Sequence, residues 1–552
     1  MSFCQVRFQG ASRRTSAQEG RSPTWSESIF LPFIPPRKDF SPSNLRSISE
    51  KVYFNLFDEV IVETNPDDYR TEDQTFQRRE RRYLGSFSIP FSTIYLNGRV
   101  EGMFRVNTPE VNLGYVTRSR GDSSQRSFAE AESGLDGLAG DLQNESANGT
   151  YVYLMATLDP MLATPRPDED ENSSAAGESS KLMRYGNQWL KQVKGKMRHR
   201  AQPNLKVFGT AINGDATFIP RYLGPQVPPV GQNGTELSNV ASLVHFVSLL
   251  PFLEDWQAFI EGGNDVWCTS HKFLEVSAGD WEEHAILLSN YLSWLFRERS
   301  SVESYIVLGR GVPEGETVYT LLADSNAALR ILFNASSGRG YLTSDKHCPL
   351  IEVSLVIGER NIWANVQESG KPSLMRWNLD NAKDWVPFWS DRMPRVDLPS
   401  VQNEIMAYDR QDRKLASYLE GEISDQIQRS MRRWRAKRGP TRFNKVVGRK
   451  FNKLLKLLEE RRLGSRLGDS AQHSFADEHF EELRDVLSHN QLFGFPVHML
   501  FTEMDAILKE VRNTDIHSTA LDVTFALGVR VEAYTSKIFS VWIYIAMLIP
   551  RR

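Results

Sequence analysis

The stretch Trp267–Leu295, WCTSHKFLEVSAGDWEEHAILLSNYLSWL, governs how the rest of the chain is read. Gly279-Asp280 interrupts the chain and opens a helix. Asp280 is a good N-cap residue and Glu283 follows three positions later, the spacing of a capping box. Trp281, His284, Ala285, Leu288, Tyr291, Leu292 and Leu295 then recur at helical spacing and fall on one broad apolar face. The pattern predicts the central helix of a sizeable domain. A plain amphipathic core helix accounts for most of it.

The order Gly-Asp-x-x-Glu-His-Ala followed by a buried helix resembles the nucleophile helix of the transglutaminase-like, papain-related fold. In that fold a cysteine stands at the helix N-terminus, where free N–H groups and the helix dipole favour a thiolate. Here Trp281 holds that position, and an indole cannot become a nucleophile. Downstream, Ser304–Leu308, Thr317–Leu322, Ala328–Phe333 and Ser354–Ile357 read as strands, with GRGVPEGE and NASSGRG as turns. A helix followed by an antiparallel sheet is the α+β order the resemblance implies. Matched strand by strand, the histidine position falls at or near Thr317 and the acid position at Asn334. Threonine cannot act as the base. The expectation is a degenerate domain over 243–390.

Composition bounds the rest. A chain of 552 residues can bury several cores, and 40% apolar with 24% charged residues is ordinary for globular proteins. Cys4, Cys268 and Cys348 are too scattered for a disulfide framework or a zinc pattern, which favours a reducing compartment. The N-terminus has no signal-peptide pattern, and Ile538–Ile549 is about half the length a spanning helix needs. A cytoplasmic protein is expected.

Residues 25–160 read as a β-rich unit. TWSESIFLPF, VYFNLFDEVIVE, YLGSFSIPFSTIYL and VEGMFRVN alternate apolar and polar residues. Pro23-Thr24-Trp25, Phe57-Asp58-Glu59 and Leu84-Gly85 resemble the later strands of a C2-type β-sandwich, with its first strands missing or supplied by residues 1–10. Calcium-binding members bring several carboxylates together. Here Asp58 and Asp73 accompany a basic run, Arg78, Arg79, Arg81 and Arg82, so no calcium is expected; the run reads as a solvated loop or a contact to anionic lipid. Residues 117–150 and 163–180 are polar and expected to be disordered. Tyr151–Leu158 between them is expected to close the sandwich, and 163–200 reads as a linker with a basic helix anchored by Trp189.

Residues 400–552 read as a basic helical segment with a C-terminal hairpin packed on it. From Arg429 to Lys456 there are 12 Lys or Arg and no acid, interleaved with Trp434, Phe443, Phe451 and Leu454. Nucleic-acid binding is the sharp reading of such a run. No recognised motif accompanies it, so an amphipathic helix pair is preferred, its aromatic residues docked on protein and its basic face free for an acidic partner or lipid. A helix over 501–511 and strands over 523–534 and 538–548 follow, the strands apolar on both faces.

WCTSHKFLEVSAGDWEEHA, VPEG, Asn361-Ile-Trp363, the basic helices, FGFPVHM (493–499) and SVWIYIAMLI occur in one order. Together they resemble the C-terminal half of the coiled-coil and C2 domain-containing protein 2A family, over most of residues 25–552. The resemblance implies a protein of the ciliary base and transition zone, associated with cytoskeleton and basal body. It further implies partners in the tectonic-like or Meckel-syndrome complex and a role in cilium assembly and gating. The implied transglutaminase-like domain is a pseudoenzyme used as scaffold. No cofactor, metal, nucleic acid or small-molecule substrate is expected, and an anionic membrane surface is kept as a partner. One rival is a cysteine peptidase or transglutaminase using Cys268 or Cys348, neither of which stands at a helix N-terminus with the required pattern; the other is a peripheral membrane or nucleic-acid binder acting through the basic helices.

Overall fold

A computed structural model describes the chain except for residues 65–75, 116–134, 163–176, 198–204, 231–236, 256–264, 392, 465–474, 520–522 and 552. Asp73, and the polar stretches 117–134 and 163–176 expected to be disordered, lie outside the described residues.

The N-terminal unit contains β1 (Ser2–Phe8), β2 (Ala11–Arg14), α1 (Pro42–Arg46), β3 (Lys51–Thr64), β4 (Phe76–Pro90), α2 (Phe91–Asn97), β5 (Arg99–Arg105), α3 (Leu135–Asn148) and β6 (Tyr151–Thr157). An antiparallel sheet in the order β2-β1-β3-β4 faces the β5–β6 pair. Alternate residues of β3 and β4 meet Phe104 and Val152 between the layers, with the Phe54 and Phe87 rings stacked at 4.8 Å. A bulge at Leu56/Phe57 falls beside Gly85, whose φ is +155°. A Cβ there would sit 2.7 Å from the Asn107 carbonyl oxygen, so the bend needs glycine.

Three expectations are corrected here. Trp25–Phe33 is not a strand, because Pro32, Pro35 and Pro36 remove ladder donors and Ser26 has positive φ. Its Trp25, Ile29, Leu31 and Phe33 cover the core edge instead, while residues 2–8 supply the strand beside β3. The arginine run is no loop, since Arg78–Arg82 lie on β4, paired with Val62–Asp58 of β3. Nor is the whole of 117–150 unstructured: α3 packs on the second domain, Leu142 lying against Gly340.

The second unit runs through α4 (Ser180–Lys196), β7 (Phe208–Ala211), β8 (Ala216–Phe218), α5 (Val240–Ser248), β9 (Val266–Trp267), α6 (Ser270–Val276), α7 (Trp281–Leu295), β10 (Val302–Gly311), β11 (Gly315–Asp324), β12 (Leu329–Asn334), β13 (Arg339–Leu342), β14 (Leu350–Ile357), β15 (Ile362–Asn365) and β16 (Trp385–Pro387). Seven antiparallel strands, β13-β12-β11-β10-β14-β15-β16, form its sheet, and α7 crosses β10 and β11. Every residue of α7 from Glu282 to Leu292 is buried, so it is apolar-packed on all sides rather than along one face. The stretch 163–200 is not merely a linker. Leu182, Gly186, Trp189 and Val193 at helical spacing bury α4 in this domain, and Trp189 Nε1 donates to the Pro387 carbonyl at 3.0 Å. The domain therefore begins before residue 243.

The C-terminal unit comprises α8 (Arg413–Trp434), β17 (Arg442–Phe443), α9 (Lys445–Arg462), α10 (Phe475–His489), β18 (Asn490–Leu500), α11 (Met504–Asn513), β19 (Thr524–Ala533) and β20 (Phe539–Pro550). The hairpin β19–β20 is part of a four-stranded sheet, β17-β19-β20-β18. FGFPVHM forms most of β18, which pairs with β20. Pro496 fits there because β18 is an edge strand. Val541, Ile543 and Ile545 face a core with α8 and α11, and Trp542, Tyr544 and Ala546 face one with α9 and α10. Burial on both faces explains why both read as apolar.

The units are tied together. The Tyr83 and Phe495 rings are 4.9 Å apart, and the Leu113 N–H donates to the Gly494 carbonyl at 2.8 Å.

Candidate functional site

The N-terminus of α7 is the place to look for chemistry. The capping box forms as its spacing predicts: the Asp280 carboxylate accepts from Glu282 N–H at 3.2 Å, and Glu283 Oε2 accepts from Asp280 N–H at 3.1 Å. Glu283 Oε1 accepts from the Cys268 N–H at 3.0 Å, pinning the preceding strand to the helix. His284 lies between the Asp280 carbonyl, 2.6 Å from Nδ1, and the Leu250 carbonyl, 3.1 Å from Nε2. Burial lowers its pKa. It latches the 250s segment to the helix.

Around this cap sits a group of acids. One oxygen each from Asp255, Asp280 and Glu283 lie within 4.8 Å of one another, and so do oxygens of Asp265, Asp280 and Glu282. Burial pushes Glu282 up to about 8 and Asp255 to about 7, and raises Asp280 and Glu283 as well. Lys206 pairs with Asp265; against the burial that would lower it, Asp265 and Glu282 raise its pKa. Asp255 also accepts from Val266 N–H. Backbone N–H groups thus occupy oxygens of Asp255, Asp280 and Glu283, Lys206 holds Asp265, and the Glu282 carboxyl bonds to that of Asp280, as in a helix cap rather than an open cation cage.

The structure separates the residues expected to form a triad. Trp281 is half-buried, its ring 4.4 Å from that of Phe252. On β11, Thr320 Oγ1 donates to the Ala285 carbonyl of α7 at 3.0 Å, and Val318 shares a core with Ala285 and Ile286. Side chains alternate along a strand. Thr317, Tyr319 and Leu321 therefore point to the other face, where Tyr319 and Leu321 pack near Trp385. Asn334 is on that face too, its Nδ2 donating to Glu314 Oε1 at 2.9 Å and contacting Tyr319 Oη at 3.2 Å. So Thr317 and Asn334 share one side of the sheet and Trp281 lies on the other. The β11 residue that acts on the helix end is Glu316, exposed, whose charge reaches Lys206.

Sequence reasoning missed Glu316, Lys206, Asp255 and Asp265. A one-residue slip in register swaps the faces of a strand. Both faces of β11 are buried, so alternation carried no signal that would have caught the slip.

The environments of the two cysteines of this unit raise the pKa of their thiols. Burial, then Glu283 and Asp255, push the Cys268 thiol up to about 12. Burial pushes Cys348, on the far face, to about 12. A reactive cysteine needs the opposite environment.

Comparison with known proteins places these units. Residues 265–388 match the model of the CEP76 peptidase-like domain. Residues 412–550 match that of the C-terminal domain of the centrosomal protein of 76 kDa. Protein CC2D2B of Homo sapiens is 27% identical over 564 residues, covering 100% of this chain and 36% of that protein. Coiled-coil and C2 domain-containing protein 2A of Drosophila melanogaster is 24% identical over 542 residues, covering 97% of this chain and 37% of that protein. The chain is a homologue of the coiled-coil and C2 domain-containing 2 proteins. It spans little more than a third of the length of these relatives. The likeness runs through all three units, and the peptidase-like match covers α7 and the sheet it crosses.

Proposed function

We propose that this chain acts in a non-enzymatic scaffold of the ciliary transition zone, supporting cilium assembly and gating of ciliary traffic. On this reading the N-terminal sheets are a C2-type sandwich and the unit around α7 is a transglutaminase-like pseudoenzyme. Its partners are other transition-zone proteins of the tectonic-like or Meckel-syndrome complex.

The observation that carries the reading is the N-terminus of α7. An indole occupies the nucleophile position, Thr317 and Asn334 lie across the sheet from it, and the neighbouring thiol is held protonated by burial and carboxylates. Such an end can cap a helix but cannot generate a thiolate. The likeness to these relatives, and a C-terminal domain shared with a protein described as centrosomal, support placing the scaffold at the centriole-derived base of the cilium.

The test is localisation of a tagged chain in ciliated cells, with Trp281→Cys in parallel. Concentration at the ciliary base by both is expected. Uniform cytoplasmic signal would overturn the placement. Turnover of peptides, or of glutamine and amine substrates, by the wild-type chain would overturn the non-enzymatic reading.

A further inference from the structure

The basic run 429–456 does not spend its charge uniformly. Along the later turns of α9, Lys450, Lys453, Lys456 and Arg462 pair with Asp485, Glu482, Glu460 and Glu110. Arg435 is buried and donates to the carbonyls of His517 and Thr519. Six of the remaining cations gather where α8 ends, β17 forms the sheet edge and α9 begins. Arg432, Arg433, Lys437, Arg442, Lys445 and Arg449 are exposed there. Among the described residues, no carboxylate lies within ion-pair distance of any of the six. The corner is contiguous: the Arg432 guanidinium lies 5.5 Å from the Phe443 ring, and Asn444 caps α9 immediately after.

The surroundings add positive charge. Arg512 lies over Trp434 at 5.8 Å, and Arg438 donates to Thr519. The nearby carboxylate, Asp515, is engaged by Arg7, Arg81 and His517. Burial pushes His517 down to about 4, and Arg512, Arg7 and Arg438 add to this against the pull of Asp515. Next to Lys445 at the start of α9, Val446 is 62% exposed, an aliphatic side chain presented beside cations.

These features choose between polyanions. Single-stranded nucleic acid is held by open aromatic faces on which bases stack. Here the Phe443 ring is covered by Arg432 and Phe525, and the Trp434 ring by Arg512 and His517. Neither offers a platform. Unpaired cations beside an exposed aliphatic residue, at the ends of two helices, suit a surface of anionic headgroups over hydrocarbon.

We propose that the corner formed by the end of α8, β17 and the start of α9 docks on an anionic phospholipid bilayer. The surface would orient the chain on a membrane, and it stands independently of where in the cell the chain resides. It is distinct from β4, whose Arg81 and Arg82 are engaged by Asp515 and the Phe493 ring.

The test is co-flotation of the full chain with phosphatidylcholine vesicles, with and without phosphatidylserine, across a salt series. Binding only to the serine-containing vesicles, weakening steeply with salt, is expected. Arg432→Gln/Arg442→Gln/Lys445→Gln/Arg449→Gln should lower partitioning by about fivefold per cation, several hundredfold in all. Lys181→Gln/Lys191→Gln/Lys194→Gln/Lys196→Gln removes the same charge from α4, in another domain, and should change partitioning by less than about threefold. Equal loss in both variants, salt-independent binding, or no binding to the anionic vesicles would overturn the proposal. So would a single-stranded oligonucleotide or an acidic peptide that binds at this corner while vesicles are ignored.

Discussion

The imidazole of His245 on α5 meets the carboxylate of Glu459 on α9 at 3.1 Å, joining the peptidase-like domain to the C-terminal domain through a buried polar contact. Glu459 also accepts from Tyr534, from Ser540 at 3.0 Å and from Trp542 Nε1 at 2.6 Å, so both its oxygens are shared. Burial alone would raise its pKa, but His245, His498 and the Trp542 N–H hold the carboxyl well below the ordinary range. A depressed carboxyl contributes stability that is present above its unfolded value near 4 and lost as pH falls below it. The domain interface should therefore loosen in acid. Glu459→Gln should flatten that acid dependence of the melting temperature and cost about 3–5 kcal/mol near neutrality. Hydrogen exchange of α5 and α9 should report the loss locally. A Glu459→Gln protein with wild-type stability and wild-type acid slope would contradict this.

The cap of α7 should respond with the opposite sign. Glu282 is held up near 8 by burial and then by Asp265. A carboxyl raised in the fold binds more protons than in the unfolded chain between about pH 4 and pH 8. Its stabilising share is complete below the lower value and lost as pH rises through the upper one. Glu282→Gln should remove this slope and leave the variant roughly 4–5 kcal/mol more stable than wild type at pH 8. Thermal melts of both proteins across this window decide the matter.

Trp281→Cys should not make an enzyme. The new thiol would stand at a helix N-terminus, which lowers a thiol pKa, but beside buried acids that raise it. Alkylation followed against pH should give a midpoint no lower than the ordinary value of about 8.5. Loss of the indole packed on Phe252 should cost about 1–3 kcal/mol, less than for a fully buried tryptophan. Adding Thr317→His should change nothing at this end, because position 317 faces the other side of the sheet. Only Glu316→His would aim an imidazole toward it, and alkylation kinetics of the two double variants should separate the positions.

Millimolar calcium should leave the melting temperature unchanged. Asp58 accepts from Tyr115 at 2.9 Å and stands opposite Arg82, and Glu59 pairs with Arg14 and Arg79. A hard cation needs about six to eight oxygens. Differential scanning with calcium and then with EDTA checks this; a reversible shift of several degrees would contradict it.

The local elements were legible because their causes are local. The capping box at Asp280 and Glu283 is a three-residue spacing, and it forms. The strands expected at 304–308, 317–322, 328–333 and 354–357 followed from β-branched runs between turns, and each is present, the third beginning at Leu329 because Ala328 sits in the turn with positive φ. The order of rare motifs pointed to the coiled-coil and C2 domain-containing 2 relatives. Composition also showed that the cations of 429–456 lack acids within that run.

What only tertiary structure decided was where those residues point and what they meet. A strand buried on both faces gives no alternation, so nothing in β11 told Thr317 from Glu316; the Thr320–Ala285 contact did. Apolar spacing could not show that α7 is covered on every side, since that depends on α5 and the sheet closing around it. The arginines of β4 read as a free loop until Asp515 and Phe493, more than four hundred residues away in sequence, were found to engage them. Acids from α10 and the 110 loop neutralise the later cations of α9 and leave those at its start open, because ion pairing is set by distance in space and not along the chain.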